Sequence, residues 1–221
     1  HRRPAASRVA AGPRPPRDDR EPMGRKRVQL LGATGSIGDS SVSVLESLSS
    51  DLELVALAAH RNWRKLLDIA LRHRPEAIAL GDEDAAQRLQ EELPRSGLNP
   101  LPRVYKGRDG LVAMVRETPA DVVLGAISGA AGLPTSVAAL ETGKDLALAN
   151  KESLVTAGSL LMSLARDHGR QILPVDSEHS AIFQSLLAGR PEEVESIVLT
   201  ASGGPFRETP ADELARVTKA Q

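Results

Sequence analysis

Cysteine is absent from the chain. That excludes disulfides, thiolate metal sites and cysteine nucleophiles, and leaves oxygen and imidazole as the strong ligands available. An excess of either charge is lacking as well, since 28 Lys and Arg stand against 29 Asp and Glu. No global field favours nucleic acid or an anionic membrane, so neither is expected as a partner, and any anion site has to be local. Apolar runs near the roughly 18–20 residues of a membrane span are also missing. A soluble, cytoplasmic protein is expected, and the lack of cysteine fits a reducing cytosol. At 221 residues the chain has room for one large domain or one and a half.

Residues 1–25, HRRPAASRVAAGPRPPRDDREPMGR, are rich in Pro and Arg, contain no long apolar block and begin with His. We read them as a disordered lead-in, with Met23 the expected start of translation. Asp18, Asp19 and Glu21 dilute the charge that an organelle transit peptide would carry.

From Lys26 onward, apolar runs alternate with amphipathic segments. RVQLL (27–31), LELVALA (52–58), EAIAL (76–80), DVVLGAI (121–127), DLALA (145–149), RQILPV (170–175) and ESIVLTA (195–201) read as strands. A further short strand is expected at Val104–Tyr105, inside a Pro- and Gly-rich loop. Helices are expected over Ser36–Leu48, Trp63–His73, Asp82–Leu93, Asp109–Glu117, Pro134–Thr142, Glu152–His168 and Ser177–Leu187, several opening on Asp, Ser or Pro and closing near Gly. Trp63 and Met162 fall on apolar helical faces and are expected in the core. Strands that are apolar throughout and separated by helices imply a parallel sheet covered on both faces. The expected fold is α/β, a doubly wound parallel sheet of the Rossmann-like kind.

The first strand runs directly into LLGATGSIGDSSV, which opens a helix. Gly32, Gly35 and Gly38 permit a tight turn, close approach of backbone to a pyrophosphate and close helix–strand packing, while the helix start offers free N–H groups to an anion. The spacing is G-x-x-G-x-x-G, not G-x-G-x-x-G, but the strand–turn–helix setting is what such a motif needs. After the second strand, where an NAD site carries an acid, this chain has His60, Arg61 and Asn62 and no carboxylate until Asp68. An acid would repel a 2′-phosphate and Arg61 would pair with it, so NADPH is favoured over NADH.

Residues 174–186, PVDSEHSAIFQSL, hold Asp176 and Glu178 at a strand-to-helix turn. Two such carboxylates can converge on one cation, and hard oxygens suit Mg or Mn. The bland alternative is that Asp176 or Ser177 caps the helix and Glu178 complements its dipole, and spacing alone favours that reading. His179 is better read as a hydrogen-bonded packing residue than as a ligand.

Taken in order, LGATGSIG, GAISGAAGLPTS, LANKESLVTAG, LPVDSEHSAIFQSL and LTASGGPFRETP resemble the 1-deoxy-D-xylulose 5-phosphate reductoisomerase family from about Lys26 to the last residue. The resemblance implies rearrangement of a phosphorylated keto-sugar, 1-deoxy-D-xylulose 5-phosphate, and reduction of the resulting aldehyde with NADPH to 2-C-methyl-D-erythritol 4-phosphate, on the non-mevalonate route to isoprenoids. It implies a divalent cation, Mg, Mn or Co, and a homodimer. By motif match it implies Thr34, Gly35, Ser36, Ile37, His60, Arg61, Asn62, Asn150 and Glu152 as cofactor contacts, His60 standing where the family often has Gly. Lys151, Ser177, Glu178 and Ser202 match substrate contacts, Lys151 and Glu178 being the catalytic candidates. Asp176 and Glu178 match two metal ligands, which tips the reading of PVDSEHS from capping to ligation. The implied division is a lead-in over 1–25, an NADPH-binding Rossmann-like domain over 26–175 and the beginning of an α+β catalytic domain over 176–221.

Full-length relatives continue into a His–Pro–Asn–Trp loop, an Asn–Lys pair, a third metal carboxylate and a C-terminal helical domain, none of which follows ADELARVTKAQ here. Negligible turnover by this polypeptide alone is therefore expected. Two other classes remain open at this level: an NADPH-dependent dehydrogenase of the semialdehyde or homoserine type, which needs no VDSEHS, and a non-catalytic dinucleotide-binding module.

Overall fold

The structure is a computed structural model and describes residues 24–198 and 204–218. Within it, the chain up to Asp176 is one compact unit and the chain from Ser177 on is another. The first unit alternates strictly: β1 (Lys26–Leu31), α1 (Ser36–Ser47), β2 (Leu52–Ala59), α2 (Trp63–His73), β3 (Ala77–Leu80), α3 (Glu83–Glu92), β4 (Arg103–Lys106), α4 (Gly107–Glu117), β5 (Val122–Gly125), α5 (Leu133–Glu141), β6 (Asp145–Leu148), α6 (Lys151–Asp167) and β7 (Ile172–Pro174). Every strand pair is parallel. The sheet order is β4-β3-β2-β1-β5-β6-β7. From β1 in the middle of the sheet the chain builds outward to β4, then crosses back to β5 and builds the other way. The reversal falls between β1 and β5, where open sheets of this kind bind ligands.

The apolar strands explain the layers. In β1, Val28 and Leu30 join one core with Val42 and Leu45 of α1, Leu66 and Ile69 of α2 and Leu89 of α3. Leu31 joins the opposite core with Met114 of α4, Leu140 of α5 and Leu161 of α6. A strand whose neighbouring residues face opposite cores has to be apolar on both sides, which is why it reads as a continuous run. Buried Gln29 is the exception in β1, its amide donating to Thr118 O at 2.7 Å and so tying β1 to the end of α4.

The second unit contains α7 (Ser177–Leu186) and the short α8 (Ala211–Leu214). Two expectations are corrected. ESIVLTA is not a strand over 195–198, where no ladder forms among the described residues and Ile197 and Val198 are 51% and 81% exposed; the rest of that run lies outside the described residues. Met162 is 47% exposed, not core. The buried positions of α6 are Ser153, Leu161 and Ala165, so Met162 lies about 100° round the helix from Leu161. A break at Ala157 (φ −141°, ψ 32°) also ends the single phase that the sequence pattern assumes. Trp63 is half-buried against the first core.

Candidate functional site

β1 ends at Leu31 and the chain turns at Gly32, whose φ is +87°. Any Cβ here would run into the Ala126 carbonyl, 2.7 Å from its carbon, so only glycine lets the β1 turn lie against the loop after β5. At Gly38 a Cβ would meet the backbone of Ala33 and stand 2.6 Å from Gly32 O, so α1 starts tight against the same turn. Gly32 N and Ala33 N both donate to Ala58 O, at 2.9 and 2.8 Å, which pins the turn to β2. Gly35 is the N-cap of α1 and no side chain caps it. The first-turn N–H groups and the positive end of the helix dipole therefore face outward beside Thr34, Gly35, Ser36 and Ile37. Lys65 of α2 braces this turn, its Nζ donating to Thr34 O at 3.2 Å and to Asp39 Oδ2 at 2.8 Å.

The loop after β2 carries His60, Arg61 and Asn62, all exposed. Asn62 caps α2, accepting Lys65 N at 3.2 Å. Arg61 Nε donates to Asp82 Oδ2 at 2.9 Å, and Asp82 Oδ1 accepts Ala85 N at 2.9 Å as the cap of α3. The Ala85 N–H holds the Asp82 carboxyl below its usual range, and Arg61 acts the same way, against a smaller opposing effect of desolvation than the Ala85 bond provides. A cleft of about 290 Å³ opens here, lined among others by Arg61, Asn62, Trp63, Arg64, Asp82 and Arg88. The Arg64 guanidinium lies 4.6 Å from the Trp63 ring centre. Gly81 leaves room for the His60 ring, since a Cβ there would be 3.0 Å from His60 Nδ1.

On the other side of β1, β6 ends at Leu148 and leads to Asn150, Lys151 and Glu152. Asn150 is 4% exposed. Its Nδ2 donates to Ile127 O and, at 2.7 Å, to Gly129 O, while its Oδ1 accepts Ser153 N at 3.1 Å and caps α6. The amide is committed to holding the β5 loop against the start of α6. Lys151 and Glu152 are exposed on the first turn of that helix. Lys151 Nζ reaches Asp176 Oδ2, just past β7, at 3.1 Å. In the second unit, Ser177 Oγ donates to Glu178 Oε2 at 2.7 Å in the first turn of α7, and His179 is exposed, not packed. Ser202 lies outside the described residues. Among the described residues, no group of three or more His, Cys, Asp or Glu is arranged to hold a metal ion. No helix among them is long and apolar enough to cross a membrane.

Four residues of these clusters escaped the sequence reading: Lys65, Arg64, Asp82 and Arg88. Asp82 is visible in sequence only as a helix opener, because its contact with Arg61 depends on β2 and β3 being neighbours. Lys65 sits two residues after Trp63 in a basic run, and nothing local shows that it reaches back to Thr34.

Comparison with known proteins narrows the family. The model of 1-deoxy-D-xylulose 5-phosphate reductoisomerase matches residues 28–158, and the model of that enzyme's C-terminal domain matches residues 172–221. A 1-deoxy-D-xylulose 5-phosphate reductoisomerase of Geotalea uraniireducens (strain Rf4) is 46% identical over 193 residues, covering 87% of this chain and 49% of the relative. The enzyme from Zymomonas mobilis, solved in complex with NADPH, superposes with a TM-score of 0.75 at 42% identity, over 88% of this chain and 50% of that one. A DOX-P reductoisomerase in complex with NADPH, fosmidomycin and magnesium superposes with a TM-score of 0.68 at 39% identity, over 72% of this chain and 38% of that one. The chain spans about half the length of these relatives. These matches favour this family over a dehydrogenase of the semialdehyde or homoserine type. With a family model matching more than half of its residues, the chain belongs to the 1-deoxy-D-xylulose 5-phosphate reductoisomerase family.

Proposed function

We propose that this chain carries the NADPH-binding part and two metal-ligating carboxylates of an enzyme that converts 1-deoxy-D-xylulose 5-phosphate to 2-C-methyl-D-erythritol 4-phosphate. The overall change is an isomerisation of the sugar phosphate followed by a two-electron reduction of the resulting aldehyde, for which NADPH would supply a hydride to the aldehyde carbon and solvent a proton to its oxygen. When bound, NADPH supplies that hydride and Mg, Mn or Co supplies Lewis-acid polarisation of the sugar oxygens. The dinucleotide domain is 26–175, and the catalytic domain begins at 176.

One observation carries this reading. The glycine turn after β1 and the Lys151–Asp176 pair after β6 and β7 leave the same carboxyl edge of one parallel sheet. From β1 to β7 is three strand spacings, roughly 14 Å at the usual 4.7–4.9 Å per strand. An extended dinucleotide lying along that edge spans such a gap. The residues fit the groups. The uncapped start of α1 and the side-chain-free Gly32 suit a pyrophosphate. The carboxylate oxygens of Asp176 and Glu178 are hard donors that suit Mg or Mn.

The chain's own residues then divide the work. Thr34, Gly35, Ser36 and Ile37 bind the pyrophosphate, and His60, Arg61 and Asn62 bind the adenosine end. Asn150 holds the β5 loop against the start of α6, and with Glu152 it would contact the nicotinamide half. Lys151 holds a substrate oxygen or phosphate, and Ser177, Glu178 and Ser202 complete the substrate contacts. The test is calorimetric titration of the protein with NADPH and NADH, then with Mn in wild type and Asp176→Asn. NADPH binding at least tenfold tighter than NADH, and Mn affinity lost in the variant, are expected; equal affinities in either comparison overturn the reading.

A further inference from the structure

Asp82 uses its two carboxylate oxygens for two separate contacts. Oδ1 accepts Ala85 N and caps α3, while Oδ2 accepts Arg61 Nε from the loop after β2, each at 2.9 Å. The two side chains are 24% and 74% exposed, so the pair adds little to stability. Its consequence is geometric. A guanidinium is a rigid planar fork of five N–H donors, and fixing Nε fixes the plane and the direction of both Nη groups. No other partner of the Arg61 guanidinium is present among the described residues. Arg61 shares its cleft with Arg64, stacked on Trp63, and with Arg88, less than two turns along the helix that Asp82 caps. Against these three cations the cleft holds the acids Asp82 and Asp84, and Asp82 is already engaged with Arg61.

We propose that Asp82 is the positioning residue that sets cofactor choice: it holds Arg61 so that the Nη edge meets the 2′-phosphate of NADPH, with Arg88 as a second cation for the same phosphate. This rests on reading the cleft as the adenosine end of the NADPH site. Only a short side chain with two acceptor oxygens does both jobs. Asn and Ser are good helix caps but have one acceptor, which the Ala85 N–H takes.

Two effects of replacing Asp82 oppose each other. Removing a negative charge near a phosphate strengthens binding, but through solvent and at physiological salt that gain is small. Releasing Arg61 from its fixed plane weakens a charge-assisted, two-pronged contact, and that loss is the larger. The net result is weaker NADPH binding with NADH left alone.

The experiment measures Kd for NADPH and NADH, and the melting temperature, in wild type, Asp82→Asn, Asp82→Ser, Arg61→Ala and the Asp82→Asn/Arg61→Ala double variant. Both Asp82 variants should keep the melting temperature, lose about tenfold in NADPH affinity and stay within about twofold for NADH. In the Arg61→Ala background Asp82→Asn should have no further effect. Arg88→Ala should weaken NADPH about fivefold and spare NADH. Equal weakening of both nucleotides, unchanged or tighter NADPH binding, or the same loss without Arg61 overturns the positioning role. Wild type that fails to prefer NADPH overturns the NADPH reading itself, and Asp82's role with it; wild type that prefers NADPH alongside an equally selective Asp82→Asn overturns the positioning role alone.

Discussion

Lys151 Nζ stands 3.1 Å from Asp176 Oδ2, joining the first turn of α6 to the chain just beyond β7. The carboxylate is 17% exposed and the lysine 56%, so the ammonium offsets a charge that is largely withdrawn from water. A divalent cation drawn to Asp176 has to compete with that ammonium. Lys151→Met should therefore bind Mn about threefold more tightly than wild type, while Asp176→Asn should bind it at least tenfold more weakly. Free Mn followed by electron paramagnetic resonance measures both; weaker binding in Lys151→Met shows that the lysine supports the cation instead of competing with it.

The glycine turn separates fold from ligand. At Gly32 a Cβ collides with the Ala126 carbonyl and φ is +87°, so Gly32→Ala should lose at least about 2 kcal/mol in chemical denaturation. Gly35 has φ −88° and its nearest obstacle is Gly32 O at 3.5 Å, so Gly35→Ala should change stability by less than about 1 kcal/mol. Similar losses at both positions would mean that the turn is held by something other than this close approach.

Much of this arrangement is legible in the chain. Trp63–His73 is found with its expected bounds because an apolar face, an Asn cap and a basic last turn all agree. The sheet's parallel character follows from strands such as LELVALA, whose residues serve both cores. The glycine turn was readable because a β1–turn–α1 motif is local. The Arg61–Asp82 contact is not, since 21 residues separate the partners and only the pairing of β2 with β3 brings them together. Residues 195–198 of ESIVLTA show the converse failure: an apolar, β-branched run needs a partner strand, and sequence composition cannot supply one.

Asn150 looks like a ligand contact in sequence but is built as a strut. Its amide donates to Ile127 O and Gly129 O and its carbonyl caps α6 at Ser153 N. Asn150→Ala leaves two part-buried carbonyls and a helix start without their side-chain partner, and should cost roughly 2–4 kcal/mol in denaturant titrations. Asn150→Asp keeps the cap but sets an anion against the two carbonyls, and should be no more stable than the alanine variant. An Asn150→Ala protein of wild-type stability with weakened NADPH binding would instead make the residue a direct contact.

Lys144 is 4% exposed, donates to Thr142 Oγ1 at 2.8 Å, and lies near Arg116. Burial first, and then Arg116, push its ammonium below the ordinary 10.5. Since the unfolded chain holds this proton more strongly, stability rises with pH from the lowered folded value up to 10.5, and the penalty is fully present below that window. Lys144→Met removes the charge. Its stability relative to wild type should be highest near neutrality and decline as pH approaches 10, measured by urea denaturation at several pH values. A difference independent of pH would show that the ammonium is as well solvated in the fold as out of it.

Lys65 and Arg61 both flank the NADPH cradle but act on different parts of it. Lys65 contacts protein only, bracing Thr34 O at 3.2 Å and Asp39 Oδ2 at 2.8 Å, and thereby fixes the turn that receives the pyrophosphate. The pyrophosphate is common to NADPH and NADH, so Lys65→Met should weaken both by the same factor, about threefold to tenfold. Asp39, left without its ammonium at the start of α1, adds repulsion toward any anion there and pushes the effect to the upper part of that range. Arg61→Ala should act on NADPH alone. Titrating each variant with both nucleotides separates the two, because a shared loss marks the turn and a selective one marks the 2′-phosphate. Were Lys65→Met to weaken NADPH and spare NADH, its ammonium would have to reach the 2′-phosphate instead of the turn, and the division of labour between α2 and the loop before it would be reversed.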